Sequence, residues 1–286
     1  MPIDYGSNNI TSSGIMTAAS GVFSNFKIIN SKTPASSADT GSQGDICWDS
    51  NYIYICTNTN TWTRTLMSSF SSDPYFSNVS LLLHMDGSGS SFVDSSASAK
   101  TITAYGNATQ STAQSKFGGV SARFDGDGDY LSSSVSDITR FSGDFTVEFW
   151  AYALTHKSYN VWFDNRSTVA SSTGFTMASN SSGQMTLFTN NSFTITGSST
   201  FNTSQWIHFA LVRSGSTIRL YQNGQSIGTS TNSTNFSDGA LAVGISLPDQ
   251  VHSVNGYIDE LRVTKIARYT GATITVPTSA FPNFNT

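Results

Sequence analysis

Charge is scarce in this sequence. Lys and Arg together number 14 and Asp and Glu 18 in 286 residues, and the net charge is −4. The basic residues are scattered, so no electrostatic stripe exists to track a phosphate backbone, and nucleic acid is not an expected partner. No run approaches the roughly 18 apolar residues of a membrane span, which argues against membrane insertion. The opening residues, MPIDY, carry neither the basic region nor the apolar run of a secretory signal, so the chain is expected to be made without classical export. The marks of catalysis are missing too. His84, His156, His208 and His252 stand far apart, outside any metal-spaced or triad-like motif. No glycine-rich phosphate loop opens a helix and no nucleophile elbow is visible, so the expectation is a protein that is not an enzyme.

What is present points to strands. Hydrophobic residues make up 37% and aromatics 12%, enough for a full core. The polar surface is drawn from Ser, Thr, Asn and Gly, the residues of strands and turns rather than of helix surfaces. Both cysteines, Cys47 and Cys56, fall within GDICWDSNYIYICTNTNTWTR, which reads as a meander with strands near 45–48, 52–57 and 61–66. A two-residue turn at Ser50-Asn51 sets Cys47 opposite Tyr54 and Cys56 opposite Asp45, with the thiols diagonal at about 7 to 8 Å. That exceeds comfortable disulfide reach. Two free, half-buried thiols are expected, a bridge in a differently turned hairpin being the alternative; zinc would need a nearby His, and the first is His84.

Three regions follow. Residues 1–43 are an extended segment whose short apolar flashes, at Ile10, Ile15-Met16, Val22-Phe23 and Phe26 to Ile29, suit strands completed by another chain; a floppy leader is the plainer reading. Residues 44–72 are the meander, closed by an Asp-Pro step at Asp73-Pro74. Residues 73–286 carry strand candidates such as FTVEFW, WIHFALV, TIRLY and YIDELRV, separated by Gly- and Asn-based turns. Over 200 residues of short strands without a helical pattern argue for an all-β, two-sheet antiparallel jelly-roll sandwich.

The segments SLLLHMDGSGSSFVDSS, SKFGGVSARFDGDGDYL, DFTVEFWAY, WIHFALVRSGSTIRLYQNGQSIG and GYIDELRVTKIARY resemble, in order and spacing, the laminin-G-like, concanavalin-A-like jelly-roll modules over about residues 75–286. The resemblance implies two curved sheets and a binding or structural role, on a fold that also hosts glycan hydrolases. The leader and GDICWDSNYIYICT resemble the amino-terminal parts of tailed-phage virion proteins, fibres and decoration proteins among them.

Three site readings remain. FDGDGDY, residues 124–130, places three aspartates on alternate positions. As a calcium loop it fails after its third ligand, because Tyr130 stands where glycine is needed and Ser136 where glutamate is. A tight turn is the main reading, with Asp125 assisting a cation as the alternative. A structural Ca2+ is better placed if Asp86, after the first jelly-roll strand, converges with Asp259 on the last; Asp259 pairing with Arg262 or Arg123 is the rival. Glu148 lacks the second carboxylate that glycoside hydrolysis requires and is expected to be hydrogen-bonded within the sheet. Asp259 and Glu260 are neighbours on a strand and are expected on opposite faces. For carbohydrate, LTHKSYNVWFDNR offers Tyr159, Asn160, Trp162 and Asn165, an aromatic and amide mixture of the kind that stacks and hydrogen-bonds sugars. Trp162 reads first as core and second as a ligand platform, Tyr159 is the stronger candidate, and the loop SLPDQVHSVN, 246–255, is a second rim.

These readings join in a non-enzymatic phage virion protein, on a tail fibre or as a capsid decoration. Its jelly roll would face outward toward host-surface glycan, and its amino-terminal segment would dock on other virion proteins. A homo-oligomer, first of all a trimer, is expected. An extracellular lectin or adhesin and a capsule-degrading hydrolase are the alternatives.

Overall fold

The computed structural model describes residues 33–49, 52–66 and 72–284. The expected amino-terminal strands at Ile10 to Ile29 lie outside these residues. The chain divides into two compact units, with the boundary between Ser69 and Phe70.

The first unit is an antiparallel sheet of β1 (Ile46–Trp48), β2 (Tyr52–Asn58) and β3 (Thr61–Leu66), in that order. Cys47 faces Tyr54, and the Cys56 amide donates to the Asp45 carbonyl at 2.9 Å. No disulfide joins Cys47 to Cys56, and both are buried with Tyr54 and Trp62 on one side of the sheet. The Trp62 indole N–H donates to the Asp39 carbonyl at 3.0 Å.

The second unit holds the two-sheet sandwich. One sheet runs β13 (Ser192–Thr200), β12 (Gln184–Thr189), β11 (Phe175–Asn180), β10 (Tyr159–Asp164), β17 (Ala242–Val243), β8 (Tyr130–Ser132) and β5 (Thr103–Tyr105). The other runs β16 (Gln225–Thr231), β15 (Thr217–Gln222), β14 (Trp206–Ser214), β9 (Phe145–Ala153), β18 (Asn255–Thr264), β7 (Ser121–Asp125) and β6 (Thr109–Ser111), with β4 (Val79–Leu83) also paired to β18. All pairings are antiparallel, and among the described residues the only helical pieces are two short 3-10 turns. The all-β jelly-roll expectation holds.

Period-2 alternation builds the core. Phe145, Val147, Phe149 and Ala151 of β9 join Phe209 and Leu211 of β14, Ile258 and Val263 of β18, and Trp162, Phe175, Met177 and Leu187 from the opposite sheet in one apolar cluster. Phe145 stacks on Phe141 at 4.3 Å and on Phe175 at 5.5 Å. Asn223-Gly224, joining β15 to β16, adopts φ of 46° and 80°, the left-handed pair that a tight hairpin turn requires.

Two irregularities set the site geometry. In β10 the register against β11 shifts between Val161 and Phe163. In β18 the register against β9 shifts between Asp259 and Arg262, and Glu260 sits at φ 50°. Either side of that second bulge β18 changes partner, pairing through Asn255–Ile258 with β7 and through Leu261–Thr264 with β4.

Candidate functional site

The outer face of the seven-stranded sheet bears a cavity of about 210 Å3. Its floor is Val161 of β10 with Thr176 and Ala178 of β11, all buried. One wall is a run of rings. Phe188 and Phe193 face each other across the β12–β13 hairpin with centroids 5.2 Å apart, Phe193 stacks on Tyr159 at 5.4 Å and 19°, and Tyr159 meets the His252 ring edge-on at 5.5 Å. Phe193 is 47% exposed, so the wall opens to solvent. The hairpin presenting it turns through Asn190 and Asn191, both left-handed at φ 47° and 55°, a two-residue turn that matches the twist of its strands.

The polar side of the cavity is Arg166, Ser246 and Asp249. Arg166 Nε and Nη2 donate to the two oxygens of buried Asp164 at 2.9 and 2.8 Å, and Nη2 also donates to Ser246 Oγ at 3.0 Å. The loop carrying Asp249 and His252 is fixed to β10 by the Val161 amide, which donates to the His252 carbonyl at 2.9 Å. Gln250 and His252 are left-handed in that loop, at φ 55° and 62°.

Of the carbohydrate candidates read from the sequence, only Tyr159 lines this cavity. Asn160, Trp162 and Asn165 are fully buried and cannot meet a ligand, which corrects their assignment. Trp162 is core, 6.5 Å from Phe149, its indole N–H donating to Ser179 Oγ at 3.0 Å. Asn160 Nδ2 donates to the Thr155 carbonyl at 2.8 Å. Asn165 bridges inside the fold, donating to the Thr139 carbonyl and accepting from the Phe175 amide. The cause is alternation: Tyr159 and Val161 point outward and Asn160 and Trp162 inward. The bulge after Val161 then inverts the parity, so that Phe163 joins the core and Asp164 and Arg166 take the outer side. The second rim, 246–255, is where the structure adds to Tyr159, through Ser246, Asp249 and His252. Phe188 and Phe193 were missed, although the Asn-Asn pair between alternating residues signals their hairpin.

The cation candidates separate. Asp125 is held within its own turn, accepting from the Asp127 amide and from Asn107 Nδ2 at 2.8 and 2.9 Å. The cation at this turn is the Lys157 ammonium, which donates to the carbonyls of Gly126 and Ser253 at 2.6 and 3.2 Å. Asp125 pairs with Asn255 on β18, four residues from Asp259 and hence about 13 Å away along the strand, so it does not join the other two. Asp86 and Asp259 meet one loop. Asp259 Oδ2 accepts the amides of Lys116 and Phe117 at 2.7 and 3.2 Å, while Asp86 lies so close to Gly118 that a Cβ there would fall 2.2 Å from its Oδ1. Asp259 Oδ1 is buried without a partner. Burial, offset in part by the two amides and reinforced by the charges of Glu260 and Asp86, pushes the Asp259 carboxyl up to about 7. Among the described residues no group of three or more His, Cys, Asp or Glu converges as a metal site.

Glu260 corrects a further expectation. The bulge places it on the same side as Asp259, where it binds His84 Nδ1 at 2.9 Å and accepts the Phe281 amide at 2.8 Å. Burial works against a charge on His84, but Glu260 prevails and raises its affinity for a proton. Glu148 is fully buried. Burial acts to raise its carboxyl, yet Arg262 at 2.7 Å, His208 at 3.4 Å and Arg268 at 3.9 Å hold it well below the usual carboxylate range. Arg262 and Arg268 both reach Asp73 as well, and Tyr269 donates to Glu148 Oε2 at 2.9 Å.

A family model described as the concanavalin A-like lectin/glucanases superfamily matches residues 125–271, more than half of the chain. No curated protein matches the sequence. Among solved structures, domain 4 of AbnA, a GH43 extracellular arabinanase from Geobacillus stearothermophilus in complex with arabinotriose, superposes with a TM-score of 0.51 at 17% identity, over 66% of this chain and 93% of that one. A botulinum neurotoxin type C structure, whose cell entry depends on two ganglioside molecules, gives 0.48 at 14% identity over 68% of this chain and 49% of its own, so this chain spans about half of it. NanB sialidase from Streptococcus pneumoniae, as a K499G mutant, gives 0.43 at 15% identity over 51% and 26%. At 17% identity the likeness to the AbnA domain speaks to the fold alone, and the other two carry no argument.

Proposed function

The chain belongs to the concanavalin A-like lectin/glucanases superfamily, and from that premise we propose that it is a non-enzymatic glycan-binding protein whose site is the aromatic-walled cavity on the seven-stranded sheet. The carrying observation is the continuous wall of Phe188, Phe193, Tyr159 and His252 in one cavity with the polar groups Ser246 and Asp249. A pyranose has an apolar face that stacks on such rings and hydroxyls that pair with such polar atoms. The arabinotriose bound to the AbnA domain is in keeping with a sugar ligand on this architecture. On a glycan array the full chain should bind a defined subset of glycans and lose it with Tyr159→Ala or Phe193→Ala at unchanged melting temperature; retained binding in both variants would refute the site.

The non-enzymatic reading rests on Glu148. Hydrolysis with retention needs two carboxyls about 5 to 5.5 Å apart and open to substrate, whereas Glu148 is sealed and ion-paired. Release of reducing sugar from a bound polysaccharide would overturn it. For Ca2+, Asp86 and the orphan Oδ1 of Asp259 are the fitting oxygens. The ion would add positive charge beside this pair, with loop carbonyls filling the six to eight oxygens it prefers.

The setting we propose is the surface of a tailed-phage virion, with the amino-terminal segment as the dock for other virion proteins and the seat of a homo-oligomer, a trimer first. Support comes from the sequence resemblance of that segment. Light scattering of the full chain beside a truncation beginning at Asp73 tests it: a trimer falling to a monomer is expected, and two monomers would remove the oligomer.

A further inference from the structure

We propose that the cavity takes a sugar carrying no acid group, and that Asp249 enforces this by favouring an amine-bearing pyranose over a neutral one and a neutral one over a carboxylated one. The proposal rests on the reading of the cavity as a sugar site. Its lining holds one guanidinium, Arg166, and one carboxylate, Asp249, with the His252 imidazole at the ring wall.

Arg166 is already engaged. Its fork closes on both oxygens of Asp164, Nη2 also meets Ser246, and Nη1 donates to the Val169 carbonyl at 3.3 Å. Both members of the pair are buried, Asp164 at 0% and Arg166 at 6% exposure. A sugar carboxylate is held most strongly by a free bidentate fork, and the fork of Arg166 is already taken. Asp249 is the opposite case. It is exposed at the mouth, and no hydrogen bond or ion pair holds its side chain among the described residues.

The mouth therefore carries one uncompensated negative charge beside aromatic rings. A carboxylated sugar stacked on Tyr159 and Phe193 would bring a like charge toward Asp249 while losing water. An ammonium group gains from the carboxylate and from the electron-rich ring faces together. A neutral sugar meets Asp249 as a hydroxyl acceptor only.

The test is a chemical-shift titration of the full chain with six probes: the methyl glycoside, the 2-amino-2-deoxy sugar and the uronate of both the gluco and the galacto series. In the series that binds, affinity should fall from amine to neutral to uronate in steps of about fivefold, and the spread should narrow in high salt. Asp249→Asn, with its melting temperature unchanged, should bring the three probes within about twofold of one another. A uronate that binds as well as the neutral sugar overturns the proposal, as does an order that survives in Asp249→Asn; both outcomes leave the cavity a sugar site. If no probe of either series moves the cavity resonances, the sugar-site reading fails and the charge selection falls with it.

Discussion

Glu148 on β9 and Arg262 on β18 stand opposite each other in register, Arg262 Nη2 lying 2.7 Å from Glu148 Oε1 with the two side chains 6% and 0% exposed. The pair is the hub of a buried network on the outer side of the eight-stranded sheet, closed by Asp73, Arg268 and Tyr269. Isolated buried charges are costly, and each partner here compensates another.

Breaking the hub should therefore destabilise the second unit severely. Glu148→Ala is expected to cost about 3 to 5 kcal/mol in denaturant unfolding, because it strands Arg262 in the protein interior. A loss below about 1 kcal/mol would mean that Asp73 alone satisfies both arginines.

The same network fixes the acid limb of stability. Glu148 and Asp73 titrate in the folded state below their ordinary values of 4.5 and 3.8. For Asp73 burial opposes that shift, and Arg268 together with the Tyr75 amide outweighs it. A depressed carboxylate contributes stability that is present above its unfolded value and is lost as pH falls through the folded one. Unfolding free energy should thus decline as pH drops below about 4.5, and Glu148→Gln should decline less steeply over that interval. Equal slopes for the two proteins would show that other carboxylates dominate acid unfolding.

Two aromatics on one strand should behave oppositely. Trp162→Ala is expected to remove about 3 to 5 kcal/mol of stability, whereas Tyr159→Ala should change stability little and abolish glycan binding. Thermal melts and glycan titrations of both variants check the contrast, which fails if Trp162→Ala melts with the wild type.

Calcium should act through Asp259 rather than through FDGDGDY. Millimolar Ca2+ is expected to raise the melting temperature relative to chelator. The rise should vanish in Asp259→Asn and persist in Asp125→Asn, whose turn is held by Lys157. An unshifted midpoint in the wild type would count against a stabilising ion.

Much of this was legible in the sequence. Alternation in FTVEFWAY and WIHFALVRS, with Asn-Gly and Ser-Gly turns between strands, determined an all-β chain and its strand boundaries, because side-chain period and turn dihedrals are local properties. Cys47 opposite Tyr54 followed from the same counting. Tyr159 and the 246–255 rim were found separately as residue mixtures, and only the tertiary structure decided that they share a cavity with Phe188 and Phe193. Strand order joins residues far apart in the chain, and no local pattern carries it. The faces of Asn165, Arg166 and Glu260 were decided at that level too. Asn165 and Arg166 follow a bulge and Glu260 sits within one, and an extra residue exists only relative to the neighbouring strand, so the inversion of inside and outside is a property of the pairing and not of the sequence.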